Sequence, residues 1–206
     1  MSRVPTDSSK GPTNEWKEKI FTSRLNKYIM MTKYNMNKSL FTVLEMARSY
    51  KMALPPQDGQ NERPICHVTM MEANHVKGSV MFLFQGHFGN IIYTGDFRYC
   101  PEMMTNPILM ELSKAKNLNL MYLDNTYEEV GFHIPTKEQA LESALKIVHQ
   151  HKYHRIILSG PVIGKEDVLV RVAQSSKVNH TEVLLLEYLP TENKISSTYS
   201  SSRLGK

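Results

Sequence analysis

The chain has 206 residues, a hydrophobic fraction of 41% and a formal net charge of +5, with a mean hydropathy of −0.38. This length suits one domain or a domain with a tail, and no apolar run approaches the ~18–20 residues that a membrane span requires. Its two cysteines are too few for a disulfide framework or a thiolate zinc cage. The positive charge favours an anionic partner, although many soluble proteins carry a similar excess of lysine.

Both ends of the chain have a polar composition. Residues 1–14 are mostly Ser, Thr, Pro, Lys and Gly, and residues 191–206 are rich in serine. Segments of this kind cannot bury enough apolar surface to offset the entropy of ordering, so both are predicted to be disordered tails. Residues 15–190 are predicted to form one domain between them.

In the first half of the chain, the pattern changes from helical to strand-like. Apolar residues recur at spacings of three and four between residues 16 and 52, which predicts one or two amphipathic helices before Pro55 and Pro56. Residues 65–71 are typical of a strand. Residues 80–84 and 91–94 are two short β-branched and aromatic runs around a glycine-containing turn, which predicts a hairpin.

In the second half, predicted helices and strands alternate. Residues 107–115 are predicted to form a short helix with Pro107 in its first turn, and residues 118–123 a buried strand. Residues 136–151 carry a clear helix pattern with Thr136 as the N-cap. A strand at 155–158, a helix at 165–175 and a strand at 183–186 follow. This alternation indicates an α/β layered domain.

Polar residues with metal-binding chemistry follow the predicted strands. His75 comes after the strand at 65–71, Asp96 after the hairpin, and Asp124 after the strand at 118–123. A rigid sheet positions loops at its strand ends, which is how metallo-hydrolases present imidazole and carboxylate ligands. Plainer roles stay open: His75 as a hydrogen-bonded loop residue, Asp96 as a turn cap and Asp124 as a helix N-cap.

The stretch from residue 71 to residue 99 resembles a known family. His75 stands in an ANHxxGS context and Asp96 in YTGDFR, with SVMFLF between them and LDNT, which contains Asp124, further on. This combination is similar to the third and fourth metal-binding motifs of the metallo-β-lactamase fold nucleases, in the Artemis/Apollo branch of the β-CASP family. The resemblance is strong over residues 72–126 and looser over residues 21–55 and 134–173.

The resemblance implies a fold, a cofactor and an activity. The fold would be a partial metallo-β-lactamase-like domain of layered sheet and helices, with the beginning of a β-CASP region. His75, Asp96 and Asp124 would bind zinc, and the two aspartates would be catalytic. The activity would be 5′-to-3′ exonucleolytic hydrolysis of DNA in crosslink repair and telomere maintenance, in the nucleus. Partners would be DNA with single-stranded or overhanging 5′ ends and repair or telomere proteins.

Two family features have no counterpart in this sequence. The HxHxDH signature, which supplies most of the metal ligands, is missing before His67, and the family's later histidine is also missing. Affinity for a di-metal centre depends on the number of ligands, so the three remaining candidates would hold such a centre weakly. Because the two features are missing, the chain is expected to be a truncated or divergent form. The alternatives are a catalytically inactive DNA- or protein-binding relative, and an RNA-processing or small-molecule hydrolase on the same fold.

Overall fold

The computed structural model describes residues 16–56, 62–128, 131, 133–151, 153–154, 156–160, 164–179 and 183–187. The chain divides into two compact units, Met1–Thr126 and Tyr127–Lys206. The predicted tails, residues 1–14 and 191–206, lie outside the described residues. The prediction of a single domain over residues 15–190 stays a prediction.

The first unit begins with one helix held between two short strands. Strands β1 (Ile20–Thr22) and β2 (Phe41–Val43) pair in parallel, and helix α1 (Arg24–Lys33) follows β1 directly. Ser23 caps α1 by accepting a hydrogen bond from the backbone N–H of Asn26. The sequence predicted one or two helices between residues 16 and 52. One helix forms, and residues 41–43 and 49–53 of that range form short strands instead.

A five-stranded sheet forms the centre of the first unit. Its strands are β3 (Ser49–Ala53), β4 (Ile65–Glu72), β5 (Val80–Gly86), β6 (Gly89–Tyr93) and β7 (Leu118–Tyr122), in that spatial order. All neighbours are antiparallel except β6 and β7, which are parallel. Strands β4 and β6 both run opposite to β5, and β7 runs with β6. The carboxyl ends of β4, β6 and β7 therefore lie at the same edge of the sheet.

The predicted hairpin is confirmed and is longer than the apolar runs. Strands β5 and β6 pair from Phe82 and Tyr93 down to Gly86 and Gly89, so that only two residues form the turn. Gly89 has φ +90°, in the left-handed region, and a Cβ there would collide with the side chain of Asn119. Glycine is favoured at this position because any other residue would adopt a strained backbone conformation and displace the Asn119 side chain.

Helix α2 (Pro107–Ala115) makes the crossover between the parallel strands β6 and β7 and has the predicted bounds. Asn106 caps it by accepting hydrogen bonds from the backbone N–H groups of Ile108 and Leu109. Leu112 packs into the core beside one face of the sheet. The buried members of this cluster are Met71, Ala73, Met81, Leu83, Ile92 and Leu112.

Strand β7 forms where the sequence predicted it, but the prediction that it is buried is wrong. All five of its residues are exposed, including Leu120 at 44% and Met121 at 44%. It lies at the end of the strand order and, among the strands that the structure describes, pairs with β6 alone. An apolar run indicates a strand, but it does not determine how many neighbouring elements cover that strand.

The second unit contains helix α3 (Lys137–Gln150), strand β8 (Ile156–Gly160), helix α4 (Glu166–Asn179) and strand β9 (Val183–Glu187). Strands β8 and β9 pair in parallel. Thr136 caps α3 in a reciprocal capping box with Gln139, which confirms the predicted start of the helix. Helix α4 extends beyond the predicted range 165–175. The mixed architecture of sheet and helices confirms the α/β class.

Candidate functional site

Three loops meet at the edge of the five-stranded sheet where β4, β6 and β7 end. The backbone N–H of Arg98 donates to the carbonyl of Ala73 (2.8 Å), which joins the loop after β6 to the end of β4. The backbone N–H of Asp124 donates to the hydroxyl of Thr94 (3.0 Å), which joins the loop after β7 to the end of β6. The predicted residues His75, Asp96 and Asp124 all stand on these three loops.

His75 stands on a turn that Ser79 organises. The Ser79 hydroxyl accepts hydrogen bonds from the backbone N–H groups of His75 (3.0 Å) and Val76 (3.2 Å). Asn74 adopts φ +53°, a left-handed conformation that asparagine tolerates better than most residues. His75 itself is exposed. Its backbone is thus fixed while the residue faces solvent.

Asp96 follows a buried anchor. Thr94 is 3% exposed, and its hydroxyl donates to the carbonyl of Gly95 (2.8 Å) while accepting from the Asp124 backbone. Gly95 has φ +55° and turns the chain. Asp96, which follows it, is exposed to solvent. The sheet therefore fixes the backbone just before Asp96 and leaves the residue accessible.

The Asp124 carboxylate accepts several hydrogen bonds from neighbouring groups. It accepts from the hydroxyl and the backbone N–H of Thr126 and from the backbone N–H of Phe97. The bond from the Thr126 hydroxyl is the largest of the effects that lower the pKa of Asp124, followed by the Thr126 and Phe97 backbone bonds and the charge of His75. A carboxylate that accepts such bonds is stabilised in its charged form.

The structure brings the three predicted residues to one edge but does not gather three ligands. His75 and Asp124 are close enough to interact electrostatically, and Asp96 immediately precedes Phe97, which binds Asp124. Within the ranges that the structure describes, no three His, Cys, Asp or Glu side chains are grouped so that they could hold a metal ion. Imidazole and carboxylate are suitable zinc donors, but these residues do not complete a metal site, and their role as ligands stays a prediction.

Two further residues at this edge escaped the sequence analysis. Thr94 links the ends of β6 and β7, and Ser79 organises the turn of His75. Both lie inside the quoted motifs, next to glycine, where a small hydroxyl residue commonly bonds to nearby backbone. That placement was the available signal. The bond between Thr94 and the Asp124 backbone depends on how the loops converge and could not be read from spacing.

The histidines of the second unit make other contacts. His149, in the last turn of α3, has its Nε2 atom 2.6 Å from the hydroxyl of Ser175. The rings of His151 and His154 contact each other edge to face, with their centroids 5.2 Å apart. His149 and His151 lie at the C-terminal end of α3, where an imidazole is suited to the helix dipole.

Comparison with known proteins finds relatives named 5′ exonuclease Apollo and Artemis. No family model matches the chain. It is 32% identical over 173 residues to the 5′ exonuclease Apollo of Rattus norvegicus, which covers 84% of this chain and 31% of the relative. The Apollo protein of Danio rerio is 32% identical over 178 residues, with 86% and 30% covered. The protein Artemis of Homo sapiens is 32% identical over 149 residues, with 68% and 21% covered.

The chain spans 31% of the length of the rat relative. The aligned share of this chain is much larger, so the likeness extends well beyond the stretch that carries His75 and Asp96. Among the helices that the structure describes, none is long and apolar enough to cross a membrane.

Proposed function

Because the chain belongs to the Artemis/Apollo branch of the β-CASP family, we propose that it acts as a DNA 5′-to-3′ exonuclease. The reaction is hydrolysis of a phosphodiester bond, in which water attacks phosphorus and the sugar oxygen leaves. The proposal places this activity in interstrand crosslink repair and telomere maintenance. It is supported by the name 5′ exonuclease that the Apollo relatives carry.

One structural observation carries the proposal. The carboxyl ends of β4, β6 and β7 bring the loops of His75, Asp96 and Asp124 to a single edge of the sheet. In this proposal Asp96 and Asp124 are the catalytic carboxylates, and all three residues belong to a zinc site. The described residues hold only part of such a site.

The proposed substrate is DNA with a single-stranded or overhanging 5′ end. A formal net charge of +5 is suited to an anionic polymer. The proposed location is the nucleus, and the proposed protein partners are repair or telomere proteins. These assignments follow from the family.

A second function is favoured by the environment of Asp124. Its carboxylate already accepts hydrogen bonds from Thr126 and Phe97, and these bonds compete with coordination of a metal. The alternative is therefore a member of the same family that binds DNA or protein without cutting it.

An end-labelled assay on the purified chain separates the two functions. Single-stranded DNA with a 5′ phosphate is incubated with zinc or manganese, and the products are resolved by length. The exonuclease proposal expects stepwise loss from the 5′ end, which Asp96→Asn reduces by a hundredfold or more, on the order of the effect of removing a catalytic group. DNA binding without cleavage under all metal conditions would instead establish the inactive form.

Glu142→Gln is the matched control, because Glu142 is an exposed carboxylate on α3, outside the candidate site. It should leave cleavage unchanged. His75→Ala should lower the zinc content measured by mass spectrometry of the purified protein. Cleavage that survives both Asp96→Asn and His75→Ala would refute the assignment of this edge as the active site.

A further inference from the structure

The positive charge of the chain is concentrated near its first helix. Residues 17–38 contain six basic residues and one acidic residue, so the local charge equals the +5 of the whole chain. We call this stretch the basic segment. Its basic residues are Lys17, Lys19, Arg24, Lys27, Lys33 and Lys38. A field of one sign over so short a stretch attracts an anionic polymer more strongly than the same charge spread over the molecule.

Several of these cations are available to an external partner. Within the described part of the chain, no ion pair involves Lys17, Arg24, Lys27 or Lys38. Lys17, Arg24 and Lys38 are exposed. Lys19 differs, because its ammonium group donates to the carbonyl of Ser39 (2.6 Å) and thereby helps to hold the segment together.

Helix α1, the centre of the basic segment, contributes no residue to the buried core. Leu25 is 43% exposed and Tyr28 is 66% exposed. Most helices of globular proteins owe their stability to packing of an apolar face. In α1 that face is partly exposed to solvent, and Tyr28 lies one position after Lys27 and four after Arg24. This combination of an aromatic ring and cations suits a strand that offers both phosphates and stacked bases.

The basic segment is joined directly to the turn that bears His75. The side-chain amide of Asn26 donates to the carbonyl of Gly78 (2.8 Å), and the Ser23 hydroxyl donates to the same carbonyl (3.4 Å). A Cβ on Gly78 would approach Leu25 and Asn26 closely. Gly78 is followed by Ser79, which holds the backbone of His75. The first turn of α1 therefore contacts the candidate site through two hydrogen bonds.

We propose that the basic segment is a docking surface for the sugar-phosphate backbone of single-stranded nucleic acid, leading the strand to the edge that carries His75 and Asp96. The inference rests on the proposed function for the identity of the strand, but binding does not require cleavage. Arg24 and Lys27 contact phosphates, and Tyr28 stacks on a base. The rival partner is an anionic lipid surface, which attracts lysines but offers no bases for Tyr28 to stack on.

The test measures binding of the whole chain to a fluorescent 30-nucleotide single strand by anisotropy, at several salt concentrations and with EDTA present. The variant Arg24→Gln/Lys27→Gln should reduce the slope of log K against log salt by about 1.4, and weaken binding at 0.1 M salt on the order of tenfold. Tyr28→Ala should weaken binding about fivefold or more without changing the slope.

The control Lys114→Gln/Lys146→Gln removes two basic residues from exposed positions of α2 and α3, and should change neither slope nor affinity by more than a factor of two. Circular dichroism confirms that each variant is folded. If the control loses as much DNA affinity as the Arg24→Gln/Lys27→Gln variant, the proposal is overturned. Binding would then depend on the overall charge of the chain and not on the basic segment. It is also overturned if phosphatidylserine vesicles bind the chain and Tyr28→Ala leaves DNA binding intact.

Failure of this proposal is distinguishable from failure of the proposed function. Binding is measured with EDTA, so an inactive chain can still show the dependence on Arg24 and Lys27. The converse result is that the wild-type chain cleaves DNA while the Arg24→Gln/Lys27→Gln variant binds DNA as tightly as wild type. That result refutes the docking surface and leaves the proposed function standing.

Discussion

At the scale of single residues, Thr126 determines how readily Asp124 takes up a proton. Its hydroxyl and its backbone N–H both donate to the carboxylate. These two bonds are the main reason that the pKa of Asp124 is lowered. The backbone bond survives any substitution except proline, so the side-chain bond can be removed by itself.

We predict that Thr126→Val raises the pKa of Asp124 toward the ordinary value of about 3.9. A carboxylate with a lowered folded-state pKa stabilises the fold above the unfolded pKa, and this contribution is lost as the pH falls through the folded pKa. The unfolding free energy of wild type should therefore be larger than that of Thr126→Val near neutral pH. This difference should shrink as the pH falls through the folded-state pKa of Asp124. Carboxyl chemical shifts in a pH titration give the pKa directly.

Thr105→Val is the matched control for this prediction. The Thr105 hydroxyl donates to the carbonyl of Glu102 and has no carboxylate partner among its described contacts. Its stability difference from wild type should not depend on pH between 2 and 7, a range chosen to bracket the carboxyl pKa of about 3.9. An Asp124 pKa that does not move in Thr126→Val would contradict the assigned cause.

Residue-scale chemistry also explains which parts of the site the sequence could predict. The sequence placed His75, Asp96 and Asp124 on loops at strand ends because each follows an apolar run. The family resemblance marked them as metal ligands, and that role stays a prediction. The network of Ser79, Thr94 and Thr126 was not identifiable. The bond from the Asp124 backbone to Thr94 joins loops that are far apart in sequence. The bonds of Ser79 and Thr126 are local, but they depend on turn conformations such as the left-handed Asn74.

At the scale of elements, local signals predicted the start of α3 correctly. Thr136 and Gln139 bond reciprocally across the first turn, and the acidic Glu138 lies beside them. All of these interactions join residues at most three positions apart. Pattern reading succeeds where the interactions that determine an element are local in this way.

We predict that Thr136→Ala destabilises the second unit by about 1 kcal/mol, since an N-cap hydroxyl is lost and no core contact changes. Thr136→Ser should recover most of this loss because it keeps the acceptor oxygen. Urea unfolding followed by circular dichroism measures both. The capping role would be contradicted if Ser and Ala destabilise the chain equally.

Elements determined by distant partners were harder to predict. The region after α1 became strands because β2 pairs with β1 and β3 pairs with β4, and nothing in the local spacing of apolar residues reports those pairings. Likewise β7 was recognised as a strand but not as an exposed one. The number of neighbours that a strand has is a property of the sheet, which local sequence does not contain.

At the scale of the whole molecule, the surface combines a basic segment with an exposed apolar edge. Strand β7 and the residue after it read LNLMYL, without a charged residue or proline. Natural sheets commonly protect such edges with lysine, proline or bulges. Strand β7 has neither lysine nor proline, and its pairing with β6 has one register shift, between Asn90 and Ile91. Within the described sheet its outer edge is therefore available to pair with another polypeptide.

We therefore predict that Leu120→Lys reduces self-association of the purified chain, because one charge at an edge opposes pairing between copies. Static light scattering against protein concentration measures the effect. Met110→Lys is the control, since Met110 is exposed at 37% but lies on helix α2. The chain should stay folded in both variants, as exposed substitutions usually change stability by less than about 0.5 kcal/mol. Equal scattering from wild type and Leu120→Lys would refute an edge contact.

The parallel pairing of β6 with β7 has a consequence for how the site comes into being. Strands β4, β5 and β6 are joined by short connections and can pair early, whereas β7 pairs only after the chain has traversed α2 and closed a longer loop. Asp124 arrives with that last strand. We therefore expect His75 and Asp96 to be positioned before Asp124 during folding, because β7 closes the longest connection between neighbouring strands of this sheet.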